Sequence, residues 1–308
     1  MLRIKINHVK NLFVLVCFFL FSTALTAKQI STVETDRASD WVKHCAAWDD
    51  WDKPGPPFRI FGNSYYVGTC GISAILITGD KGHILIDSAT VVGADLIAQN
   101  ISQLGFSIKD VKLLLNSHEH FDHVAGLARL QQLSGAKLLA SLQAAPVLRS
   151  GISAKMDPQA GLHQSFAPAR VDGFILDGEV VRLGNIELTA IYTPGHTPGA
   201  VSWVWQTCEE ATCHSIVYAD SLSPISNSDY KFSDYPDYVK AYQAGLKKVA
   251  GLDCQILLAP HPSASKMHQR LSNGKGLIDA KACINYIKVI TYRLNQRLMQ
   301  EKRQKRKQ

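Results

Sequence analysis

The chain lacks an apolar run long enough to span a bilayer. Its strongest stretch, residues 12–20, falls well short of the ~20 apolar positions that a membrane-crossing helix needs. It also lacks an internal repeat, so a repeat array is excluded. The body lacks an excess of either charge. The formal +7 of the 308 residues comes from the ends. Residues 1–27 hold Arg3, Lys5 and Lys10 and no acid; residues 301–308 hold five cations against Glu301. What lies between is formally neutral, so the basic pI does not report a nucleic-acid groove. Finally, no cysteine stands beside the chain's one dense histidine cluster, so a thiolate metal ligand is not expected.

What is present is globular: 46% hydrophobic and 19% charged residues. Residues 1–27 read as a signal peptide removed on export, with a positive start, a short apolar centre and small residues at Ala24 and Ala27. The six cysteines beyond it are Cys45, Cys70, Cys208, Cys213, Cys254 and Cys283, an even number suited to an oxidising compartment such as the periplasm. Sequence alone allows 15 pairings of six cysteines. Order along the chain suggests Cys45–Cys70, Cys208–Cys213 and Cys254–Cys283. Residues 28–57 read as an irregular arm, residues 58–300 as one domain, and residues 301–308 as a solvated basic tail.

The cluster itself is Asn116-Ser117-His118-Glu119-His120-Phe121-Asp122-His123. An apolar run at 111–115 delivers it and a helix-like run at 125–133 follows. The motif therefore sits on a strand-to-helix loop, where α/β proteins place their chemistry. Neutral imidazole and carboxylate suit zinc. Strands are expected at 58–61, 64–67, 73–78, 83–87, 111–115, 137–140, 179–183, 186–192, 201–206, 214–219 and 255–259. Helices are expected at 93–104, 142–149, 235–250 and 281–300. Residues 151–170 carry Gly, Pro and Ser without periodicity, and a loop this long is usually functional or mobile. Two later strands end in rigid turns that carry a histidine, Thr193-Pro194-Gly195-His196 and Ala259-Pro260-His261-Pro262. The remaining histidines, His44, His83, His163, His214 and His268, read as structural or exposed.

His-x-His-x-Asp-His at 118–123 resembles the signature of the metallo-β-lactamase superfamily. Tyr218-Ala219-Asp220-Ser221-Leu222-Ser223, the turn at His261 and the cysteine spacing resemble its exported subclass B3. The likeness covers roughly residues 45–300. It implies an α/β fold, the αββα sandwich of two β-sheets packed face to face with helices outside. It implies two zinc ions, one held by His118, His120 and His196, the other by Asp122, His123 and His261. Asp87, at the end of a strand, would support the metals from behind, or serve only as a turn or cap residue. Ser221 would order water and Ser223 would reach a substrate carboxylate. Asp220 either stays clear of the metals or bridges them, as an aspartate does in relatives such as glyoxalase II.

The implied function is hydrolysis of β-lactam antibiotics (carbapenems, cephalosporins, penicillins) by a zinc-bound hydroxide. The protein would be periplasmic and monomeric, acting on a small molecule, with no nucleic-acid partner and no stable membrane insertion. A serine mechanism is not expected, because Ser153-Ala154-Lys155 has the wrong spacing for Ser-x-x-Lys. Two alternatives remain: an exported lactonase or thioesterase of the same fold, and a non-catalytic protein stabilised by zinc.

Overall fold

The computed structural model describes residues 37–274 and 276–306. The expected signal peptide, and the arm as far as residue 36, lie outside the described residues. The first sheet holds β1 (Phe58–Phe61), β2 (Ser64–Tyr66), β3 (Ile75–Gly79), β4 (Gly82–Ile86), β5 (Val111–Leu115), β6 (Lys137–Ser141) and β7 (Val171–Ile175), adjacent in chain order. β1 to β4 are antiparallel, and β4 to β7 are parallel. The second sheet runs in the order β12-β11-β10-β9-β8. Its strands are β8 (Val180–Leu183), β9 (Ile186–Tyr192), β10 (Val201–Glu209), β11 (Thr212–Tyr218) and β12 (Ile256–Leu258). Only β11 and β12 are parallel there.

Strand periodicity explains the layering. In β3 and β4, Ile75, Ile77, Ile84 and Ile86 point between the sheets, where they meet Leu188, Ala190, Trp203, Trp205, Ile216 and Tyr218. Their neighbours Leu76 and Leu85 point outward, under helices Val91–Gln103, Leu127–Ser134 and Ala145–Ser150. Helices Pro236–Ala250 and Ala282–Lys305 cover the outer face of the second sheet. Both faces of the central strands are buried, so they read as continuous apolar runs rather than as alternation. The result is the expected sandwich with helices outside. The cysteines bond as Cys45–Cys70, Cys208–Cys213 and Cys254–Cys283.

Four expectations need correcting. Residues 37–44 are helical, and Trp41 is fully buried against Phe58 and Tyr66, so this part of the arm belongs to the core. The helix expected over 125–133 is Leu127–Ser134, and a separate short helix that was not expected, Phe121–Val124, precedes it across Gly126. A Cβ at Gly126 would lie 2.4 Å from the Ser88 carbonyl oxygen, so only glycine allows that approach. Strand β7 was not foreseen. Its sequence, Val-Asp-Gly-Phe-Ile, has weak strand character and depends on pairing with β6.

The fourth concerns the tail. The last helix continues to Lys305, and Glu301 is buried. Its carboxylate accepts from the Phe232 and Ser233 N–H groups at 3.2 and 2.8 Å and from Arg297 Nε at 2.5 Å. Glu301→Ala should therefore cost ~2–4 kcal/mol, because it strands buried donors and a partly buried guanidinium. Urea denaturation would measure this. Deleting only residues 306–308 should leave the midpoint unchanged, and an unchanged midpoint for Glu301→Ala would contradict the account.

Candidate metal centre

The expected metal-site residues stand at one edge of the sandwich, on loops and, for Asp122 and His123, on the short helix Phe121–Val124. Asp87 follows β4, residues 116–123 follow β5, and His196 follows β9. Asp220 to Ser223 follow β11, and His261 follows β12. The chain turns tightly at these points. Gly195 passes against the ring of Tyr242, where an added Cβ would lie 2.3 Å from a ring carbon.

Two donor groups form there. His118, His120 and His196 each bring a nitrogen within 4.8 Å of the others. Beside them, His123 Nε2 lies 3.1 Å and His261 Nε2 3.2 Å from Asp122 Oδ2, and the two imidazole nitrogens are 3.4 Å apart. His118 also lies within 4.8 Å of Asp122 and His123, so the two groups adjoin.

The far side of almost every ring is held by an acceptor, which fixes what the near side offers. His118 Nδ1 is 2.8 Å from Asp220 Oδ1. The Ser117 hydroxyl lies 3.2 Å from the same nitrogen, and among the described residues Asp220 Oδ1 makes no hydrogen bond, so the polar neighbours of this ring stand on its Nδ1 side and leave Nε2. That Nε2 is buried and has no protein partner. His120 Nε2 lies 3.0 Å from Asp157 Oδ2, leaving Nδ1. His196 Nδ1 donates to the Ser223 carbonyl oxygen at 2.9 Å, leaving Nε2. His261 Nδ1 donates to the Gly71 carbonyl oxygen at 3.2 Å, again leaving Nε2. His123 Nδ1 faces Asp87 at a longer 3.6 Å. Orienting partners of this kind are what metal-binding histidines require.

The charges fit a cation. Burial, then the neighbouring imidazoles, hold His118 and His196 well below the ordinary histidine pKa, so both are neutral donors. Burial also pulls His123 down, but Asp122 and Asp87 outweigh it and hold it at about 10. Burial pushes Asp122 up, yet His123 and His261 outweigh it and keep the carboxylate ionised. The second group thus balances its carboxylate with a proton, and a metal ion could take that place. The donor set, with an orphaned buried nitrogen aimed inward, fits zinc.

The expected second line falls as follows. Asp87 takes a left-handed backbone conformation (φ 65°). Both its oxygens are engaged, by the Ser117 N–H at 2.6 Å, the Ser117 hydroxyl at 2.7 Å and the Tyr218 hydroxyl at 2.7 Å. Asp220 lies beside His118 and accepts from the Leu222 N–H at 3.2 Å. Ser221 Oγ is buried without a partner and lines the cleft. Ser223 lines it too, but its carbonyl and hydroxyl both face His196 Nδ1.

Several residues here were not foreseen. Glu119 accepts from Thr197 Oγ1 at 2.6 Å and from the Gly199 N–H at 2.8 Å, tying the His196 turn to the central loop. Its burial raises it to about 7 against those two hydrogen bonds. Gln159 Nε2 lies 3.4 Å from His196 Nε2. His163, read from the sequence as structural or exposed, packs 4.6 Å from the His120 ring and lines the cleft. Asp157, Gln159 and His163 all lie in the aperiodic 151–170 segment, whose length was its only signal.

The comparisons agree with this geometry. Residues 67–208 match the model of the metallo-beta-lactamase superfamily. The MIM-2 metallo-beta-lactamase structure is 57% identical, covers 86% of this chain and 98% of its own, and superposes with a TM-score of 0.83. MEM-A1, a subclass B3 metallo-beta-lactamase isolated from a soil metagenome library, is 44% identical over 83% of this chain and 100% of its own, with a TM-score of 0.80. Hydroxyacylglutathione hydrolase of Maricaulis maris (strain MCS10) is 33% identical, but the match spans only 36% of this chain and 34% of that protein.

Asp157→Asn and Asp220→Asn should each weaken zinc binding by ~10–100-fold, because an amide no longer enforces the histidine tautomer. Competition against a chromophoric chelator measures this, and unaltered affinity in both variants would remove the orienting role.

Proposed function

The chain belongs to the metallo-β-lactamase superfamily, and on that footing we propose that it is a zinc-dependent β-lactamase of the B3 type. The observation that carries the reading is the pair of adjoining donor groups, oriented from behind and opening on one cleft, in a chain 57% identical to the MIM-2 enzyme. His118, His120 and His196 would hold one zinc ion; Asp122, His123 and His261 would hold a second. Bound zinc supplies Lewis acidity toward a carbonyl and lowers the pKa of coordinated water toward ~7.

The protein's own residues do the rest. Asp122 stays ionised in a nearly dry setting and can accept a hydrogen bond from the attacking water. Ser221 has a free hydroxyl on the cleft wall, suited to ordering water or holding the substrate. Ser223 can turn its hydroxyl to a substrate carboxylate because its carbonyl alone still orients His196. Trp48, Trp51 and Ile225 offer apolar surface to the rest of the antibiotic. We also infer export to the periplasm behind a signal peptide in residues 1–27. Three disulfides support it, since such bonds persist in oxidising compartments. Among the described residues no helix is long and apolar enough to cross a membrane.

The purified, zinc-loaded protein should open carbapenem, cephalosporin and penicillin rings, followed by loss of lactam absorbance. EDTA should abolish this and zinc restore it. His196→Ala should lower kcat/KM by ~10²–10³-fold. Activity that survives complete zinc removal, or lactone and thioester turnover far above that of any lactam, would overturn the reading.

A further inference from the structure

We propose that the cleft runs past the metal centre into an anion subsite on the last helix, selecting β-lactams whose side chain carries a second negative charge. This deepens the lactamase reading and rests on it. The cavity measures about 640 Å³, room for a whole drug-sized molecule with its substituents. One end is the metal centre. Ala282, Asn285, Tyr286, Val289, Ile290 and Arg293 line the cavity as well. Their spacing of three and four makes them one stripe of helix Ala282–Lys305, rising ~16 Å along its axis. Tyr286 fixes the stripe to the centre, its hydroxyl donating to the Ser221 carbonyl at 2.6 Å and the Asp220 carbonyl at 3.1 Å. Arg293 stands seven residues further on, ~10 Å along the helix.

Lys266 and Arg270 line the same cavity. Arg270 is clamped by neutral groups: Nη1 donates to the Leu257 carbonyl at 2.7 Å and Nη2 to the Leu277 carbonyl at 2.5 Å. Its Nε is buried with no protein partner. Carbonyls hold a guanidinium in place but do not cancel its charge. Among the described residues the side chains of Lys266 and Arg293 have no hydrogen-bond or ion-pair partner. Away from the metal centre, Asp279 is the one acid on the cavity wall among the described residues, so three described cations share the wall with one anion there. A positively charged, half-enclosed groove focuses its field on an anionic group. The substituent of a lactam seated at the metals would reach it end-on, and a carboxylate matches the planar guanidinium of Arg293.

The test uses two cephalosporins that differ only at the far end of the acyl side chain, one a carboxylate and the other its primary amide. For the carboxylate, the double variant Lys266→Ala/Arg293→Ala should raise KM ~10-fold and leave kcat unchanged; for the amide both should stay within ~2-fold. Arg293→Lys should retain only part of the preference, because it keeps the charge but loses the planar fork. Raising salt to ~0.5 M should erase the preference in the wild-type enzyme, because partly exposed charges are screened. Binding of the ring-opened carboxylate product, read by tryptophan fluorescence to which Trp48 and Trp51 on the cavity wall contribute, should weaken in parallel in the double variant. An equal change for both substrates, or none, overturns the subsite while leaving the lactamase reading intact. Failure of the wild-type enzyme to hydrolyse either compound overturns that reading and the subsite with it.

Discussion

The site depends on buried polar contacts that join two sheets, those of the Glu119 carboxylate foremost. The donor loops grow from different sheets, which share an apolar core but no strand pairing. Apolar packing fixes the distance between sheets and leaves their sliding weakly specified. Glu119 removes that freedom at the edge that matters, by accepting from Thr197 and Gly199 across the gap. Two more contacts run beside it, from the Val201 N–H to the Ser117 carbonyl at 2.7 Å and from Trp203 Nε1 to the Asn116 carbonyl at 3.0 Å. All are buried, where a satisfied polar contact is strong and an unsatisfied one costly. Only one relative position of the sheets satisfies them together, and in it His196 faces His118 and His120.

Around that joint the chain places polarity in two layers. The inner layer is imidazole and one carboxylate, with lone pairs turned to a common centre. The outer layer is Asp220, Asp157, the Ser223 and Gly71 carbonyls and Asp87, which decide where each imidazole carries its proton. The outer layer costs desolvation and backbone strain, as at Asp87. Its three aspartates satisfy other buried donors as well: Asp87 the Ser117 amide, Asp157 the Gln159 amide and Asp220 the Leu222 amide.

The inner layer was legible in the sequence and the outer one largely was not. His118, His120, Asp122 and His123 announce themselves by density. His196 and His261 sit at strand ends between prolines and glycines, and such turns leave few directions for a side chain. Asp157, by contrast, is one acid in a segment with no periodicity, and its value comes wholly from where the loop folds back. Glu119 lies inside the motif, yet nothing in its neighbours tells that it faces Thr197 rather than a metal. The open choice at Asp220 has the same origin: a carboxylate can bind a metal or lie behind its ligand, and the residues around Asp220 in the sequence do not distinguish them. The basic end of the chain misled for a related reason. Its run of lysines and arginines suggests solvent, while Glu301 and the helix that carries it answer to buried amides 68 and 69 positions away.

The bond between Cys45 and Cys70 has a reach beyond the segment it fastens. The residue after Cys70 is Gly71, whose carbonyl oxygen steers His261. Cross-linking the leading segment therefore pins the backbone that aims one ligand of the second donor group. Reduction of that bond would slacken the backbone that holds His261 in its direction.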